Sequence, residues 1–472
     1  MQITKKDVLW NYAATFLKIA SSALLLPFIL KMMPSQMVGI WSIFMTITAF
    51  ASMLDFGFNP SFSRNVTYVF TGVKSLKTHG HESINFSIGM VDYGLLKGLI
   101  KAMRWWYSRM AVIIFVLLTT FGTWYIHKVL KNYNGSISEI YISWGILCLI
   151  NTYNLYTLYY DSLLEGKGLI KRAKQIVIIG QSTYLITASI LILNGFGLIA
   201  IVSAQALSVI IVRFLSFRSF FSPSISLSLK TAISQPASDI LKAIYPNALK
   251  IGLSSLGGFM VTRSAIIIGS LYLTLDEIAS YGITIQLIGI ITSLAGIYTS
   301  TFIPKIVELR VEHRLQLIKR LYLKGQLVLL LTFIIAGMGL LFIGPMILQL
   351  IGSKTELMPF SITALAILVY LEEANLSIAA NILLTKNEVP FFKASVISGG
   401  LIIVGLLIGF NYLHLGLIGM LLIPLVVDLA YQAWKWPLEV AKDLGLTFSD
   451  ITYYLSNYLT NDKIYNLQNK NS

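Results

Sequence analysis

Three basic residues lie inside apolar stretches that are long enough to cross a membrane: Lys18, Lys250 and Arg263. A charge at the centre of a bilayer costs roughly 2.5–3.5 kcal/mol on insertion scales, so such residues are rare and often functional. Lys18 is too far from the end of its segment to snorkel easily, whereas Lys250 is near an end and could snorkel. These cations favour a central water-filled cavity that attracts an anionic substrate. The alternative for Arg263 is a buried ion pair.

Acidic residues inside the apolar stretches are fewer. Glu372 and Glu373 stand in the middle of LVYLEEANLS, and Asp428 lies in a later stretch. A carboxyl group in a low dielectric takes up a proton more readily, which suits ion coupling. An ion pair with Arg263 or Lys18 is the competing interpretation.

A third pattern combines aromatic and amide side chains. In NTYNLYTLYYD, Tyr153, Tyr156 and Tyr160 recur at spacings of three and four, so they share one helix face, with Asn154 near it. Tyrosine rings and an amide can contact a sugar by stacking and hydrogen bonds. Tyrosine also collects at membrane interfaces without such a role, and the sequence favours this second interpretation.

The composition predicts the elements that must hold these residues. Hydrophobic residues make up 56% of the 472 residues and charged residues 12%, against about 25% charged in soluble domains. We expect an all-α polytopic membrane protein whose first apolar segment is retained as a span. Twelve transmembrane helices are predicted: 9–33, 38–58, 109–127, 140–160, 175–194, 197–217, 247–272, 280–303, 325–349, 358–383, 391–413 and 415–437.

The distribution of basic residues supports this count. With both termini in the cytoplasm, four of the 36 Lys and Arg residues fall on the outer side, three lie inside spans, and the others are cytoplasmic. The outer four are Lys31, Lys128, Lys131 and Lys354. The net charge of +15 therefore reflects membrane orientation rather than nucleic-acid binding.

Two long cytoplasmic connections organise the chain. The first, 59–108, ends in a helix that either lies on the membrane surface or extends the third span. The second, 218–246, separates an N-terminal six-helix half, 1–217, from a C-terminal half, 247–437, and 438–472 forms a cytoplasmic tail. LKIASS and LKIGLSS open the two halves, a weak sign of a repeat around a central cavity.

Sequence motifs for catalysis are absent. The five histidines show no metal-ligand spacing, Cys148 is the single cysteine, and no nucleotide-binding or nucleophile-elbow motif is present. We therefore expect a protein that is not an enzyme and that needs no cofactor or metal. A membrane polysaccharide polymerase or ligase is a weaker alternative, because the predicted outer loops are short.

One segment carries a family resemblance. MVGIWSIF (37–44) followed by MLDFGFNPSFSRNVT (53–67) resembles the bacterial O-antigen and polysaccharide-repeat flippases, in the superfamily of multidrug/oligosaccharidyl-lipid/polysaccharide exporters. The matching positions include Gly39, Asp55, Gly57 and Arg64. The family often has an aspartate in span seven, where this chain has Arg263 in VTRSAIIIG.

The resemblance implies a function. Members move an undecaprenyl-pyrophosphate-linked oligosaccharide, an O-antigen or capsular repeat unit, across the bacterial cytoplasmic membrane. The implied partners are this lipid, membrane lipids and the polysaccharide polymerase machinery. Lys18, Lys250 and Arg263 would then attract the pyrophosphate. Arg64, on the cytoplasmic side, would make the first contact with it or, alternatively, only anchor the cytoplasmic side. The alternatives are a multidrug cation antiporter of the same superfamily, whose cavity should favour acids, and a lipid II flippase.

Overall fold

The structure, a computed structural model, describes residues 5–72, 91–386, 390–447 and 450. Throughout these ranges the regular structure is helical, as the composition predicts. A chain in lipid must satisfy its backbone hydrogen bonds within each segment, and a helix does this.

Nine of the helices precede residue 221. Their bounds are α1 Lys5–Met32, α2 Ser35–Met53, α3 Phe58–Phe70, α4 Tyr93–Leu117, α5 Thr123–Val129, α6 Ile137–Tyr156, α7 Tyr159–Gly166, α8 Ile170–Leu193 and α9 Gly197–Phe220.

The other nine helices follow. Their bounds are α10 Pro223–Thr231, α11 Ala237–Gly269, α12 Leu275–Val311, α13 Leu315–Phe342, α14 Gly344–Leu350, α15 Phe360–Leu384, α16 Phe392–Asn411, α17 Gly416–Ala430 and α18 Gln432–Leu444.

Each predicted span overlaps one helix or two consecutive helices. Within the described residues, ten helices are long and apolar enough to cross a membrane, or eleven if α17 and α18, bent by 40°, form one span. The remaining predicted span, 140–160, matches the 20-residue α6, which carries Asn and Tyr in its last turns and is not among those ten. The all-α polytopic fold is confirmed, and the count of twelve stays a prediction.

The connection 59–108 differs from one expectation. The helix at its end does not lie on the membrane surface: α4 runs without a break from Tyr93 into the third span. Leu95, Leu96 and Leu99 are fully covered by protein, so their apolar face packs inward instead of contacting lipid. Extension of the third span, the other interpretation, is the one observed. Residues 73–90 lie outside the described part of the chain.

Two compact units divide the chain. Unit 1 comprises Met1–Ile283, Ile347–Leu357 and Ser395–Met420. Unit 2 comprises Thr284–Met346, Met358–Ala394 and Leu421–Ser472. The sequence-based division into halves 1–217 and 247–437 stays a prediction, and much of the predicted tail lies outside the described residues.

Candidate functional site

Lys18 lies on a polar strip of α1, in unit 1. Its side chain is exposed, and Thr15 and Ser22 lie within about 60° of it around the helix axis. The exposed Phe16 and Leu24 lie roughly 120–160° away. A membrane helix exposed on two nearly opposite faces borders two media. The apolar face suits lipid, and the face of Lys18 suits water.

The polar strip of α1 is open along part of its length only. Further along the same side of the helix, Leu26 and Ile29 are 3% and 1% exposed, so protein covers them. The opening at Lys18 is thus confined to the N-terminal half of α1.

Helix α11 carries a second polar strip in the same unit. Ser255, Gly258 and Thr262 are exposed and recur at spacings of three and four. The two hydroxyls donate to the carbonyls of Ile251 and Gly258 of the same helix, each at 3.0 Å. A lipid-facing strip looks different: beyond the first turn of α8 the exposed residues are apolar, as at Ile186, which is 58% exposed. Small polar side chains on an exposed face indicate water beside α11.

Arg263 follows this strip by one residue. Its side chain is exposed, and within the described residues no ion pair or hydrogen bond involves it. Immediately beyond, Ala265 and Ile266 are 3% and 7% exposed. The open part of α11 therefore ends near Arg263, just as the open part of α1 ends beyond Lys18.

The structure describes the other two predicted cations, Lys250 and Arg64, in less detail. Lys250 is helical in α11, and its side chain lies outside the description. Arg64 is exposed on α3.

The DFG turn, residues 55–57 between α2 and α3, packs against α11. Gly57 has φ +69°, a conformation that suits glycine, and an added Cβ there would lie 2.5 Å from the Ile251 side chain. On α11, a Cβ at Gly252 would lie 2.6 Å from the Cα of Phe56. Glycines on both sides therefore let two backbones meet. This contact fixes the part of α11 that bears the polar strip.

Asp55 organises the same turn. Its carboxylate accepts hydrogen bonds from the Tyr107 hydroxyl at 2.6 Å and from the Asn59 amide at 2.9 Å. The residue lies in the turn that follows α2, outside the helices that cross the membrane. Burial raises the pKa of its carboxyl group, and the two hydrogen bonds oppose that rise in part. Asp55 thus satisfies a backbone amide in the first turn of α3, although the N-cap residue itself is Gly57.

Gly39, also part of the motif, marks a close approach. A Cβ at this position would lie 2.3 Å from the backbone carbonyl oxygen of Leu275, at the start of α12. A side chain larger than hydrogen therefore has no room between α2 and α12. Two positions of the motif, Gly39 and Gly57, thus allow close packing of the backbone, and Asp55 holds the turn by hydrogen bonds.

The predicted sugar-contacting residues divide into two groups. Tyr153 and Tyr156 are each 39% exposed on α6. Asn154 is engaged instead, because its side-chain oxygen accepts hydrogen bonds from Arg213 at 2.7 and 3.2 Å. Arg213 also pairs with Asp161 at 2.8 Å and is 5% exposed.

Arg213 was missed by sequence reasoning. It stands near the end of a span, where the excess of cytoplasmic basic residues accounts for it, and its partners lie 52 and 59 residues away. Asp161 and Asn154 at the end of span four are the one available signal, since a buried arginine needs polar partners.

The predicted acids lie in unit 2. Asp428 is 4% exposed and accepts a hydrogen bond from Gln432 at 3.1 Å. Glu372 interacts electrostatically with Asp428 and with Glu373. One carboxyl oxygen of Glu372 is buried and has no hydrogen-bond partner within the described residues. The carboxyl groups of Glu372 and Asp428 are therefore close enough to influence each other.

Metal binding by a cluster of side chains finds no support in the described part of the chain. No three His, Cys, Asp or Glu side chains there are grouped so that they could hold a metal ion. Cys148 is buried.

A bundle of membrane-length helices defines a class of protein, the polytopic helical membrane proteins. The sequence itself matches no family model and no curated protein. Solved structures do match the fold. A multidrug resistance MATE family transporter of the MOP superfamily, in an inward-facing conformation, has a TM-score of 0.62 at 15% identity, over 92% of this chain and 94% of that one.

Two further solved structures share this fold. The lipid II flippase MurJ, in an inward closed conformation, has a TM-score of 0.59 at 14% identity and covers 96% of this chain and 90% of its own. A MOP superfamily transporter from Pyrococcus furiosus, for which a reversed polarity of the binding pocket suggests a different function, has a TM-score of 0.54 at 15% identity, over 94% and 99% of the two chains. The chain thus has the fold of MOP-superfamily transporters.

Proposed function

We propose that this protein is a flippase that moves an undecaprenyl-pyrophosphate-linked oligosaccharide, an O-antigen or capsular repeat unit, across the bacterial cytoplasmic membrane. The observation that carries the proposal is the pair of exposed cations, Lys18 and Arg263, each beside a polar strip within a span. Such cations need water or an anion, and a pyrophosphate supplies the anion.

The partial opening of the two strips supports an alternating-access mechanism. In α1 the exposed segment lies in the N-terminal half of the helix, and in the membrane-length part of α11, Ile251–Gly269, it begins near the N-terminal end. In both helices it ends where the same side becomes covered. By the distribution of basic residues, the N-terminal end of both helices is cytoplasmic. A head group would enter from the cytoplasm while its polyprenyl tail stays in lipid. Closure of that side would then release it outward.

The acids of unit 2 supply the ion coupling in this proposal. Glu372 has an unpartnered buried oxygen beside Asp428, within the described residues. Binding of a cation there would neutralise two close carboxylates, so ion occupancy and conformation would be linked. The same acids favour the second candidate, a multidrug cation antiporter, because its substrates are cationic.

A lipid II flippase is a nearer alternative. It would use the same cationic strips, since lipid II also carries a pyrophosphate, and MurJ shares the fold. The two candidates differ only in the glycan.

The test is the location of the lipid-linked oligosaccharide in cells depleted of this protein. An impermeant label applied to oriented vesicles reports which face the glycan occupies. We expect an intact repeat unit to accumulate on the cytoplasmic face. Wild-type protein should restore transfer, and Lys18→Gln should lower its rate roughly tenfold, since one charge-assisted contact contributes about 1.5–3 kcal/mol.

Lys31→Gln is the matched control, because Lys31 is exposed on α1 at its other end. It should leave the rate unchanged. Glycan that reaches the outer face at the normal rate in depleted cells would overturn the proposal.

A further inference from the structure

A lipid-facing strip on α6 ends in tyrosines. Ile142 and Leu149 are 54% and 64% exposed, and Tyr153 and Tyr156 continue the same face at spacings of four and three. An exposed apolar strip on a membrane helix contacts acyl chains. Tyrosines that end such a strip are typical of the level of the lipid head groups.

Arg104 ends a similar strip on the neighbouring α4. Val112 and Phe115 are 63% and 39% exposed, and the exposed Arg104 lies on the same side, two to three turns nearer the N-terminus. Its guanidinium carbon is 6.0 Å from the centre of the Tyr159 ring. Tyr159 follows Tyr156, the last residue of α6, by three residues. The two strips therefore end in one cluster of an arginine and tyrosines.

The guanidinium group of Arg104 has unused hydrogen-bond donors within the described residues. Its Nε donates to the Tyr159 hydroxyl at 3.2 Å, and in the described ranges no hydrogen bond involves its two terminal nitrogens. A guanidinium edge with two free N–H groups matches the geometry of a phosphate.

No carboxylate neutralises this cation within the residues that the structure describes. Asp161 is paired with Arg213 at 2.8 Å. Asp55 accepts hydrogen bonds from Tyr107 and from the backbone of Asn59. A net positive charge therefore stands at the polar end of two lipid-facing strips.

We propose that Arg104, held in place by the buried Tyr159 and lying near the Tyr156 end of α6, forms a binding site for the phosphate of an anionic phospholipid in the bilayer around the protein. The acyl chains would lie along the apolar strips of α4 and α6, and the phosphate would accept two hydrogen bonds from the terminal nitrogens of Arg104. The site is separate from the polar strips of α1 and α11 and does not depend on which substrate the protein transports.

Native mass spectrometry of the purified full-length protein, titrated with phosphatidylglycerol, tests this site. Arg104→Gln should weaken the tightest phosphatidylglycerol binding about tenfold, as expected for loss of a hydrogen-bonded charge pair. Arg104→Lys should fall between Arg104→Gln and wild type, since an ammonium group keeps the charge and lacks the planar fork. An unchanged midpoint of thermal unfolding would show that the variants fold.

Arg109→Gln is the control on the same helix. Arg109 is exposed, but its guanidinium group stacks 3.7 Å from the Trp105 ring and donates to the Trp105 carbonyl. Its substitution should change binding less than about twofold.

Three results would overturn the proposal. Equal losses in Arg104→Gln and Arg109→Gln would indicate diffuse attraction of lipid to basic residues. Equally tight binding of zwitterionic phosphatidylcholine would remove the role of net charge. Displacement of phosphatidylglycerol by far lower concentrations of undecaprenyl pyrophosphate would assign the site to a polyprenyl lipid instead.

Discussion

Single residues set how closely the helices of unit 1 approach each other. Gly252 and Gly258 lie on the same helix, α11, in opposite surroundings. A Cβ at Gly252 would meet the backbone of Phe56, whereas a Cβ at Gly258 would have nothing within 4 Å. Glycine is required at the first position and tolerated at the second.

A pair of alanine substitutions tests this difference. Gly252→Ala should lower the free energy of unfolding by about 1–3 kcal/mol, because the backbone of the DFG turn must shift to admit a methyl group. Gly258→Ala should be neutral or stabilise by up to about 1 kcal/mol, since alanine favours a helix. The midpoint of thermal unfolding in detergent measures both. Equal midpoints for the two variants would show that the DFG turn does not pack tightly on α11.

Some of these functional and packing residues can be identified from the sequence, and others cannot. Sequence reasoning singled out Lys18 and Arg263, since an unpaired charge in an apolar run is visible in one dimension. It did not find the pairing of Arg213 with Asp161, which depends on how α9 lies beside α6 and α7. The glycine contacts cannot be predicted either, because the motif contains Gly57 but does not show that Gly252 lies beside the DFG turn.

At the scale of elements, α18 is held by ion pairs in unit 2. The carboxylate of Asp443 contacts Arg310 of α12 at 2.8 Å and pairs with Lys386, which follows α15. Asp443 is 11% exposed. By contrast, Glu439 on the same helix pairs with Lys435 one turn away, and both are more exposed.

Asp443→Asn should therefore free α18. We expect a loss of about 1–3 kcal/mol in local stability, because two cations lose their partner together. Glu439→Gln should cost about 0.5 kcal/mol or less, as for other exposed pairs one turn apart. Limited trypsin digestion reports this difference as faster cleavage after Lys442. Similar cleavage rates in the two variants would argue that the ion pairs of Asp443 do not hold the helix.

Helices were predicted better than their ends. Apolar length sets a span, so 175–194 and 197–217 coincide with α8 and α9 to within a few residues. The sequence leaves the course of α4 open, because alternating basic and apolar residues suit a surface helix as well as a helix packed on protein. Packing of Leu95 and Leu99 against the protein decides between the two. The break between α17 and α18 at Tyr431, where φ is −147°, could not be predicted, because no proline or glycine stands at this position.

At the scale of the whole molecule, composition and charge predicted the fold class. Apolar runs of about 20 residues leave a helical bundle as the solution in lipid. The exposed strips of α1 and α11 could not be predicted in this way, because exposure depends on which faces the other helices leave uncovered. The structure adds that the two cations found in the sequence stand on such faces.

The activity that we propose for this protein is transport of an anionic lipid-linked glycan. Its most direct test is a flipping assay with purified protein in vesicles that hold a fluorescent undecaprenyl-pyrophosphate-linked oligosaccharide in both leaflets. An impermeant quencher reaches the outer leaflet only, so about half of the label is protected without flipping. We predict that the protein makes the protected half accessible, and that Lys18→Gln slows this step. Protection that persists in wild-type vesicles, together with uptake of a cationic dye by the same vesicles, would contradict the claim and favour a cation exporter.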